Sequence, residues 1–211
     1  NKMLQEYFSP QRQTAFVVNT TAYKSVGRGF STLVMDDTFT DAEVVDCAIN
    51  ILKTQDPVFM RVHLQRPGQR GYDISQSTAD KPYYRNIFAA NSSYAEAIGN
   101  ADKQLERFVS FLKDAGMWEE TILIVTSDHG QSNIGWHPLL DEDSWKTPLL
   151  FVGNGIAKGR TLTYFDHLDL APTIAGLLGQ KWSVSDRGAG AFVQEILKET
   201  SVSNFNPARY I

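Results

Sequence analysis

The chain has 211 residues, of which 42% are hydrophobic and 21% charged, the composition of an ordinary globular domain. Its formal net charge is −4 and its twenty Lys and Arg residues are scattered, so nothing favours nucleic acid or an anionic membrane as a partner. The single cysteine, Cys47, excludes a disulfide within the chain and lies in an apolar helical pattern. No apolar run reaches the roughly 20 residues of a membrane-spanning helix.

The first part of the chain predicts two strands, a helix and two loops. Residues 14–20 form a β-rich run that ends in turn residues, and a loop is predicted from Gly27. Thr40 begins a helix, because a glutamate three residues later completes a capping box and an apolar face follows. Residues 57–64 are a nearly continuous apolar strand. Residues 65–86, rich in Gly, Pro, Ser and Asp, predict a long loop.

The rest of the chain continues this alternation. Apolar residues recur at helical spacing over residues 94–112, and Gly116 lies where such a helix should end. Because strands and helices alternate, we expect crossover connections and an α/β fold, with a mostly parallel sheet flanked by helices. No repeat or linker interrupts the sequence, so residues 1–211 predict a single α/β domain. The remaining predicted elements are strands over residues 121–126 and 147–153 and two closing helices over residues 170–178 and 191–197.

A carboxylate and an imidazole stand side by side where the third predicted strand ends. Asp128 and His129 follow that strand, and Gly130 allows the backbone to turn sharply. Ligand sites in parallel sheets lie just beyond the carboxyl ends of the strands. Asp oxygen and His nitrogen can bind Zn²⁺, Mn²⁺ or Ca²⁺, but two ligands do not complete a site. On chemistry alone, a capping aspartate beside a surface histidine is the more common explanation.

Four segments in order give this pair a context. Residues 121–130, 135–137, 146–151 and 167–179, together with the helix before them, resemble the sulfatase-like hydrolases of the alkaline phosphatase superfamily. The likeness extends from about residue 40 to residue 180. It implies an alkaline-phosphatase-like fold, here truncated, with a mixed, mostly parallel sheet. It also implies metal-assisted hydrolysis of sulfate esters through a covalent intermediate.

The resemblance assigns roles to single residues. Asp128 and His129 would bind one divalent metal ion, whether Ca²⁺, Zn²⁺ or Mn²⁺, and His137 would contact the ester or protonate its leaving oxygen. Arg70 and Lys146 are candidates for binding the sulfate group of a small anionic ester, such as a sulfated sugar. Two alternatives stay open: His137 caps a loop, and Lys146 is a solvated charge at a strand edge.

The other two histidines are expected to be structural. His63 lies inside a predicted strand, which favours a place in the core. His167 precedes the closing helices and is expected to pack the turn before them.

The sequence departs from the family pattern in three places. No motif with a Cys, Ser or Thr nucleophile precedes residue 40, and Cys47 lacks the Cys-x-Pro-x-Arg context of sulfatases. We therefore expect a truncated chain that is inactive by itself. Gly68 and Tyr72 stand where two-metal relatives have Asp and His, so a single metal is expected. Residues 138–143 are acidic where many sulfatases have a sulfate-binding lysine.

Two other functions stay open at this point. A phosphodiesterase or phosphoethanolamine transferase of the same superfamily would differ in its nucleophile. A degenerate relative that binds a glycan or a partner without turnover would explain the losses at positions 68 and 72. Members of the family are typically periplasmic, secreted or lysosomal, which leaves the location open. A sheet edge exposed by missing strands would favour a homodimer.

Overall fold

A six-stranded sheet organises the chain, and the computed structural model describes residues 2–8, 12–180, 182, 190–198 and 209–210. The strands are β1 (Thr14–Val18), β2 (Thr32–Met35), β3 (Phe59–His63), β4 (Thr121–Thr126), β5 (Leu149–Gly153) and β6 (Arg209–Tyr210). The α-helices are α1 (Asp41–Gln55), α2 (Arg66–Ser75), α3 (Ser93–Asp114) and α4 (His167–Leu177). Short 3-10 helices cover Leu4–Tyr7, Thr21–Val26, Trp118–Glu120, Glu142–Ser144 and Gln194–Ile196.

The sheet is mixed and mostly parallel, as predicted. Its strand order is β2-β1-β3-β6-β4-β5, and every neighbouring pair is parallel except β4 with β5. The parallel pairs require crossovers, and α1 supplies the connection between β2 and β3. The α/β fold class is therefore confirmed, whereas a single domain over all 211 residues stays a prediction.

Helices cover both faces of the sheet because neighbouring strand residues point in opposite directions. Met60 of β3 is buried in a core that α1 and α3 share with β1, and Leu112 of α3 is fully buried there. Phe59, the residue before Met60 in β3, packs instead in a second core, with Ile174 of α4 and Ile122 of β4. The two clusters form a layer of helix on each side of one sheet.

The predicted helix ends of α1 and α3 are confirmed. The Thr40 hydroxyl accepts a hydrogen bond from the Glu43 amide at 3.2 Å, and the Glu43 carboxylate accepts one from the Thr40 amide at 2.7 Å. This capping box satisfies amides that have no partner within the helix. Just after the C-terminal end of α3, Gly116 adopts a φ of 71°, a conformation that glycine reaches without strain.

Three predicted segments were wrong. The loop over residues 65–86 contains α2, because Pro67 fits the first turn of a helix and Ile74 is buried by tertiary packing. The loop from Gly27 is followed by the edge strand β2. Residues 191–197 form only a 3-10 turn over Gln194–Ile196, while Leu197 bridges to Ile156.

Helix α2 rests closely on the loop that follows β4, through two glycines. A Cβ atom on Gly135 would lie 2.3 Å from the carbonyl oxygen of Gly71, and Gly135 has a φ of 87°. A Cβ atom on Gly71 would lie 2.5 Å from the side-chain amide nitrogen of Gln131, which donates to the Gly135 carbonyl at 2.6 Å. Side chains at either position would push the helix and the loop apart.

We predict that Gly135→Ala destabilises the protein by roughly 2–4 kcal/mol, because the free-energy cost of a left-handed backbone conformation adds to that of a clash with the backbone of Gly71. Gly159→Ala is the matched control: its φ is 68°, but no atom in the described part of the chain lies within 4 Å of the added Cβ. It should cost only about 1 kcal/mol from the backbone conformation. Denaturant unfolding monitored by circular dichroism measures both free energies, and equal losses would contradict the close packing of α2 on this loop.

Candidate functional site

The candidate site lies along the edge where the parallel strands β1, β3 and β4 end. Asn19 follows β1, His63 ends β3, and Asp128 comes two residues after β4. The carboxyl ends of parallel strands meet at one edge of a sheet, and the loops beyond them form a crevice. The antiparallel strand β5 begins at this same edge, since Leu149 pairs with Thr126. The structure therefore brings residues distant in sequence to one side of the fold.

A buried polar network fixes the ends of β1 and β3. Asn19 and Asp41 are each only 6% exposed, and the Asn19 amide donates to an Asp41 carboxylate oxygen at 2.7 Å. The backbone amide of Gln65 donates to the Asn19 side-chain oxygen at 2.9 Å, and that of Arg66 to Asp41 at 3.4 Å. Burial raises the pKa of Asp41, although these hydrogen bonds oppose the shift. One bonded set thus joins β1, α1 and α2.

Asp128 and His129 face each other across a gap that fits a cation. The Asp128 Oδ1 atom lies 3.7 Å from the His129 Nε2 atom. The His129 Nδ1 atom lies 2.7 Å from the Gly130 carbonyl oxygen, and because a carbonyl only accepts hydrogen bonds, Nδ1 carries the proton. The lone pair of His129 Nε2 is then available on the side of the ring that faces Asp128. A carbonyl partner on the second ring nitrogen is typical of a metal-binding histidine.

The loop that carries this pair depends on Gly130. A Cβ atom there would lie 2.0 Å from the Asp143 carbonyl oxygen and 2.4 Å from that of Lys146. The Gly130 amide donates to the Ser144 carbonyl at 2.8 Å. The loop before β5 is thus held directly against the one after β4.

A divalent metal fits these donors in part. One carboxylate and one imidazole 3.7 Å apart can both reach a single cation at bond lengths of about 2.0–2.6 Å. No group of three or more His, Cys, Asp or Glu side chains among the described residues is arranged to hold a metal. The two residues therefore fit as half of a metal site, and the identity of the metal is not determined by them.

His137 completes a row of rings beside the pair. Its ring centroid lies 4.0 Å from that of His129 and 4.2 Å from that of Trp136, on which it stacks. Trp136 in turn lies 5.5 Å from the ring of Tyr72 on α2. The structure thus brings together three of the five site residues predicted from the sequence.

The two predicted sulfate-binding cations are already paired with acidic neighbours. Lys146 contacts Glu142 at 2.6 Å, and Arg70 contacts Asp73 at 3.0 Å. The side chains of the Lys146 pair are 69% and 68% exposed, and those of the Arg70 pair 48% and 43%. Exposed pairs of this kind are weak. Their roles in substrate binding stay predictions.

Sequence reasoning missed Tyr23 and assigned His63 to the core. The Tyr23 hydroxyl donates to the Asp128 Oδ2 atom at 3.3 Å, and its ring centroid lies 4.6 Å from that of His63. His63 is half-buried, with Nε2 3.0 Å from the Gln65 side-chain oxygen. Burial, and then the Asp128 charge, raises the pKa of Tyr23. No local motif marks this contact, because Tyr23 follows β1 and Asp128 follows β4, and only the strand order brings the ends of these two strands to the same edge of the sheet.

Of the remaining histidines, His167 is the first residue of α4. Its Nε2 atom lies 2.9 Å from the Ser127 carbonyl oxygen, so the ring connects the start of α4 to the loop of Asp128.

The comparisons with known proteins agree with one family. A model described as Sulfatase matches residues 5–180 of the chain. Choline-sulfatase of Rhizobium meliloti (strain 1021) is 30% identical over 132 residues, covering 61% of this chain and 24% of that protein. The multifunctional alkaline phosphatase superfamily protein PehA of Trinickia caryophylli is 32% identical over 117 residues, covering 52% of this chain and 22% of that protein. The chain thus spans about a quarter of the length of these relatives.

Solved structures agree on the fold. The lipoteichoic acid synthase LtaP from Listeria monocytogenes superposes with a TM-score of 0.58 at 17% identity, covering 92% of this chain and 55% of that chain. At this identity the likeness concerns the fold alone. No helix among the described residues is long and apolar enough to cross a membrane.

We predict that His63 titrates below its ordinary pKa of about 6.5, because burial and the nearby Arg61 charge both disfavour the imidazolium. The folded state then binds this proton less tightly than the unfolded state, so stability falls as the pH drops through about 6.5. Arg61→Gln should raise the His63 pKa, whereas the control Arg160→Gln should not. Nuclear magnetic resonance titration, assigned with His63→Gln, measures the shift, and a wild-type value of 6.5 or above would contradict it.

Proposed function

This chain belongs to the sulfatase family, and on that premise we propose that it contributes to metal-assisted hydrolysis of sulfate esters. The observation that carries the proposal is the pair of Asp128 and His129, whose free oxygen and nitrogen face each other 3.7 Å apart. The family is generally metal-dependent. We propose these two side chains as ligands of one divalent metal ion and a small anionic ester as the substrate.

A bound metal would supply a positive charge beside the ester oxygens and the leaving group. His137 lies next to this position, with its ring 4.0 Å from that of His129. An imidazole there can hold a proton for the leaving oxygen. Tyr23 would hold Asp128 in place through its 3.3 Å hydrogen bond.

Arg70 and Lys146 are proposed to bind the anionic group of the substrate. To do so, Arg70 would break its exposed ion pair with Asp73, and Lys146 its exposed ion pair with Glu142. Exposed ion pairs contribute little to stability, so the exchange of a carboxylate for a sulfate costs little. Both edge strands among the described residues, β2 and β5, carry exposed apolar side chains, and a homodimer through either edge stays a prediction.

A phosphoryl-transfer activity is the second candidate. The similarity to PehA, which bears the name of a multifunctional alkaline phosphatase superfamily protein, is the observation that favours it. The chemistry of the site suits both groups, because sulfate and phosphate esters each place anionic oxygens beside the metal ligands. Turnover of 4-nitrophenyl phosphate rather than 4-nitrophenyl sulfate would select this alternative.

We predict that Asp128→Asn and His129→Gln each weaken Mn²⁺ binding by more than about 100-fold, because losing a ligand costs more than losing a residue that orients one. Tyr23→Phe should weaken binding by only about tenfold, since it removes the hydrogen bond and keeps the carboxylate. Asp114→Asn, at the exposed end of α3, is the control and should bind like the wild type. Isothermal titration calorimetry measures all four. Unchanged binding in Asp128→Asn would overturn the proposed site and favour a non-catalytic relative.

We predict that His137→Gln lowers kcat on a sugar sulfate by about 100-fold or more in a protein that joins this chain to a segment carrying the nucleophile, because the poor leaving oxygen needs a proton. The loss should be clearly smaller on 4-nitrophenyl sulfate, whose leaving group departs readily as an anion. Steady-state release of sulfate measures both substrates. Equal losses on the two would show that His137 contacts the ester without donating a proton.

A further inference from the structure

A cavity of about 250 Å³ opens beside the candidate site and is not used by the proposed chemistry. It lies between the end of α2, the segment before α3 and the loop after β4. Its volume is below the roughly 300–1,000 Å³ of sites for drug-sized ligands, which favours a small ring over an extended chain. We call it the aromatic cavity; its lining residues are Ser75, Gln76, Tyr84, Arg85, Ile134 and Trp136.

The aromatic cavity adjoins the proposed position of the ester. Trp136 lines the cavity and stacks on His137 with ring centroids 4.2 Å apart. His137 is in turn 4.0 Å from His129, a proposed metal ligand. A group bound against Trp136 would therefore lie next to His137, the residue proposed to protonate the leaving oxygen.

The wall of the aromatic cavity is held in a costly conformation. Tyr83 and Arg85 have φ angles of 64° and 52°, a region that non-glycine residues rarely adopt. The segment is anchored by Ile87, which is fully buried and whose amide donates to the Asn133 carbonyl at 3.0 Å. Such strain persists only where the surrounding structure maintains it, and it clusters at ligand-binding segments. The packing of Ile87 thus maintains the strained wall of the cavity.

The lining combines flat apolar faces with hydrogen-bonding groups. Trp136 and Tyr84 are 42% and 38% exposed, so their rings are accessible. The Gln76 amide nitrogen donates to the Ser75 hydroxyl at 3.1 Å, which leaves the amide oxygen of Gln76 able to accept. Aromatic rings with polar groups at their margin suit a sugar, whose C–H face is apolar and whose rim carries hydroxyls.

The charge of the aromatic cavity selects between two ring-binding ligands. Aromatic rings also bind quaternary ammonium groups, but the Arg85 guanidinium in the lining repels a cation. Arg85 is exposed and forms no ion pair within the described part of the chain. It can donate two hydrogen bonds to an anionic substituent. The lining therefore favours an anionic saccharide over a cationic alcohol.

We infer that the aromatic cavity binds the saccharide part of an anionic ester substrate, with a sugar ring against Trp136 and Tyr84 and an anionic substituent at Arg85. This rests on the proposed function, because it places the ester of that sugar beside His137. It narrows the substrate class from any small anionic ester to esters carried on a carbohydrate.

The test measures binding of three probes to the full chain by isothermal titration calorimetry: lactose carrying one sulfate ester, unmodified lactose, and choline. We expect the sulfated disaccharide to bind best, lactose more weakly and choline not at all. Tyr84→Ala and Arg85→Gln should each weaken binding of the sulfated disaccharide by about tenfold, which corresponds to 1.4 kcal/mol. Arg85→Gln should weaken lactose binding much less, because lactose carries no anionic substituent for the guanidinium to bind.

Matched controls separate a local effect from a general one. Tyr164→Ala removes a tyrosine that is 75% exposed, and Arg107→Gln removes an arginine that pairs with Asp46. Neither residue lines the aromatic cavity, so both variants should bind the sulfated disaccharide like the wild type. Circular dichroism confirms that each variant is folded. Equal losses in Tyr84→Ala and Tyr164→Ala would overturn the inference.

The outcomes distinguish this inference from the proposed function. Binding of Mn²⁺ that depends on Asp128 and His129, without saccharide binding, would overturn the inference and leave the function standing. Saccharide binding that depends on Tyr84 and Arg85, without Mn²⁺ binding at Asp128 and His129, would support the cavity and overturn the function. Binding of choline in preference to both disaccharides would overturn the inference in favour of a cationic ligand.

Discussion

The buried hydrogen bond between Asn19 and Asp41 is the constraint on which the functional edge depends. It is 2.7 Å long, and both side chains are 6% exposed. Through the same two side chains, the end of β1 is joined to the first turn of α1 and to the amides that open α2. A hydrogen bond to a charged group contributes about 1.5–3 kcal/mol, and breaking one that is buried costs more. The Asp41 Oδ2 atom has no hydrogen-bond partner among the described residues, so the network also carries an unfavourable desolvation.

Two rigid supports follow from this arrangement. On one side, the fixed ends of β1 and β3 bring Tyr23 against His63, and the Tyr23 hydroxyl reaches Asp128. On the other side, the helix that starts at Arg66 packs through Gly71 onto the loop that carries Trp136 and His137. Tyr23, which follows β1, holds Asp128, and α2 packs on the segment that leads to His137, although both residues lie in the loop after β4. Local sequence places the two residues near each other, but tertiary contacts orient them.

Sequence reasoning succeeded where one local signal determined the outcome. The run of residues 121–126 is apolar and rich in β-branched side chains, and β4 covers the same residues. Asp128 and His129 follow directly after that strand, and their role as metal ligands stays a prediction. It failed where packing overrides propensity: α2 contains Pro67, Gly68 and Gly71 and is helical because of what surrounds it. The contact of Tyr23 with Asp128 spans 105 positions and depends on the strand order, which no spacing in the sequence encodes.

The charges at this edge would couple the proposed cation binding to the proposed substrate binding. Asp128 is exposed there, and Glu142 and Asp143 lie on the neighbouring loop, so an anionic ester meets like charges. A divalent ion at Asp128 and His129 would reverse the sign of the local potential. The Lys146 ammonium is held by Glu142 in an exposed pair, and an anion near the metal would compete for it at small cost. The same edge would thus repel the ester without the metal and attract it with the metal, because Asp128, the proposed acidic ligand of the cation, is one of the groups that would otherwise repel the substrate.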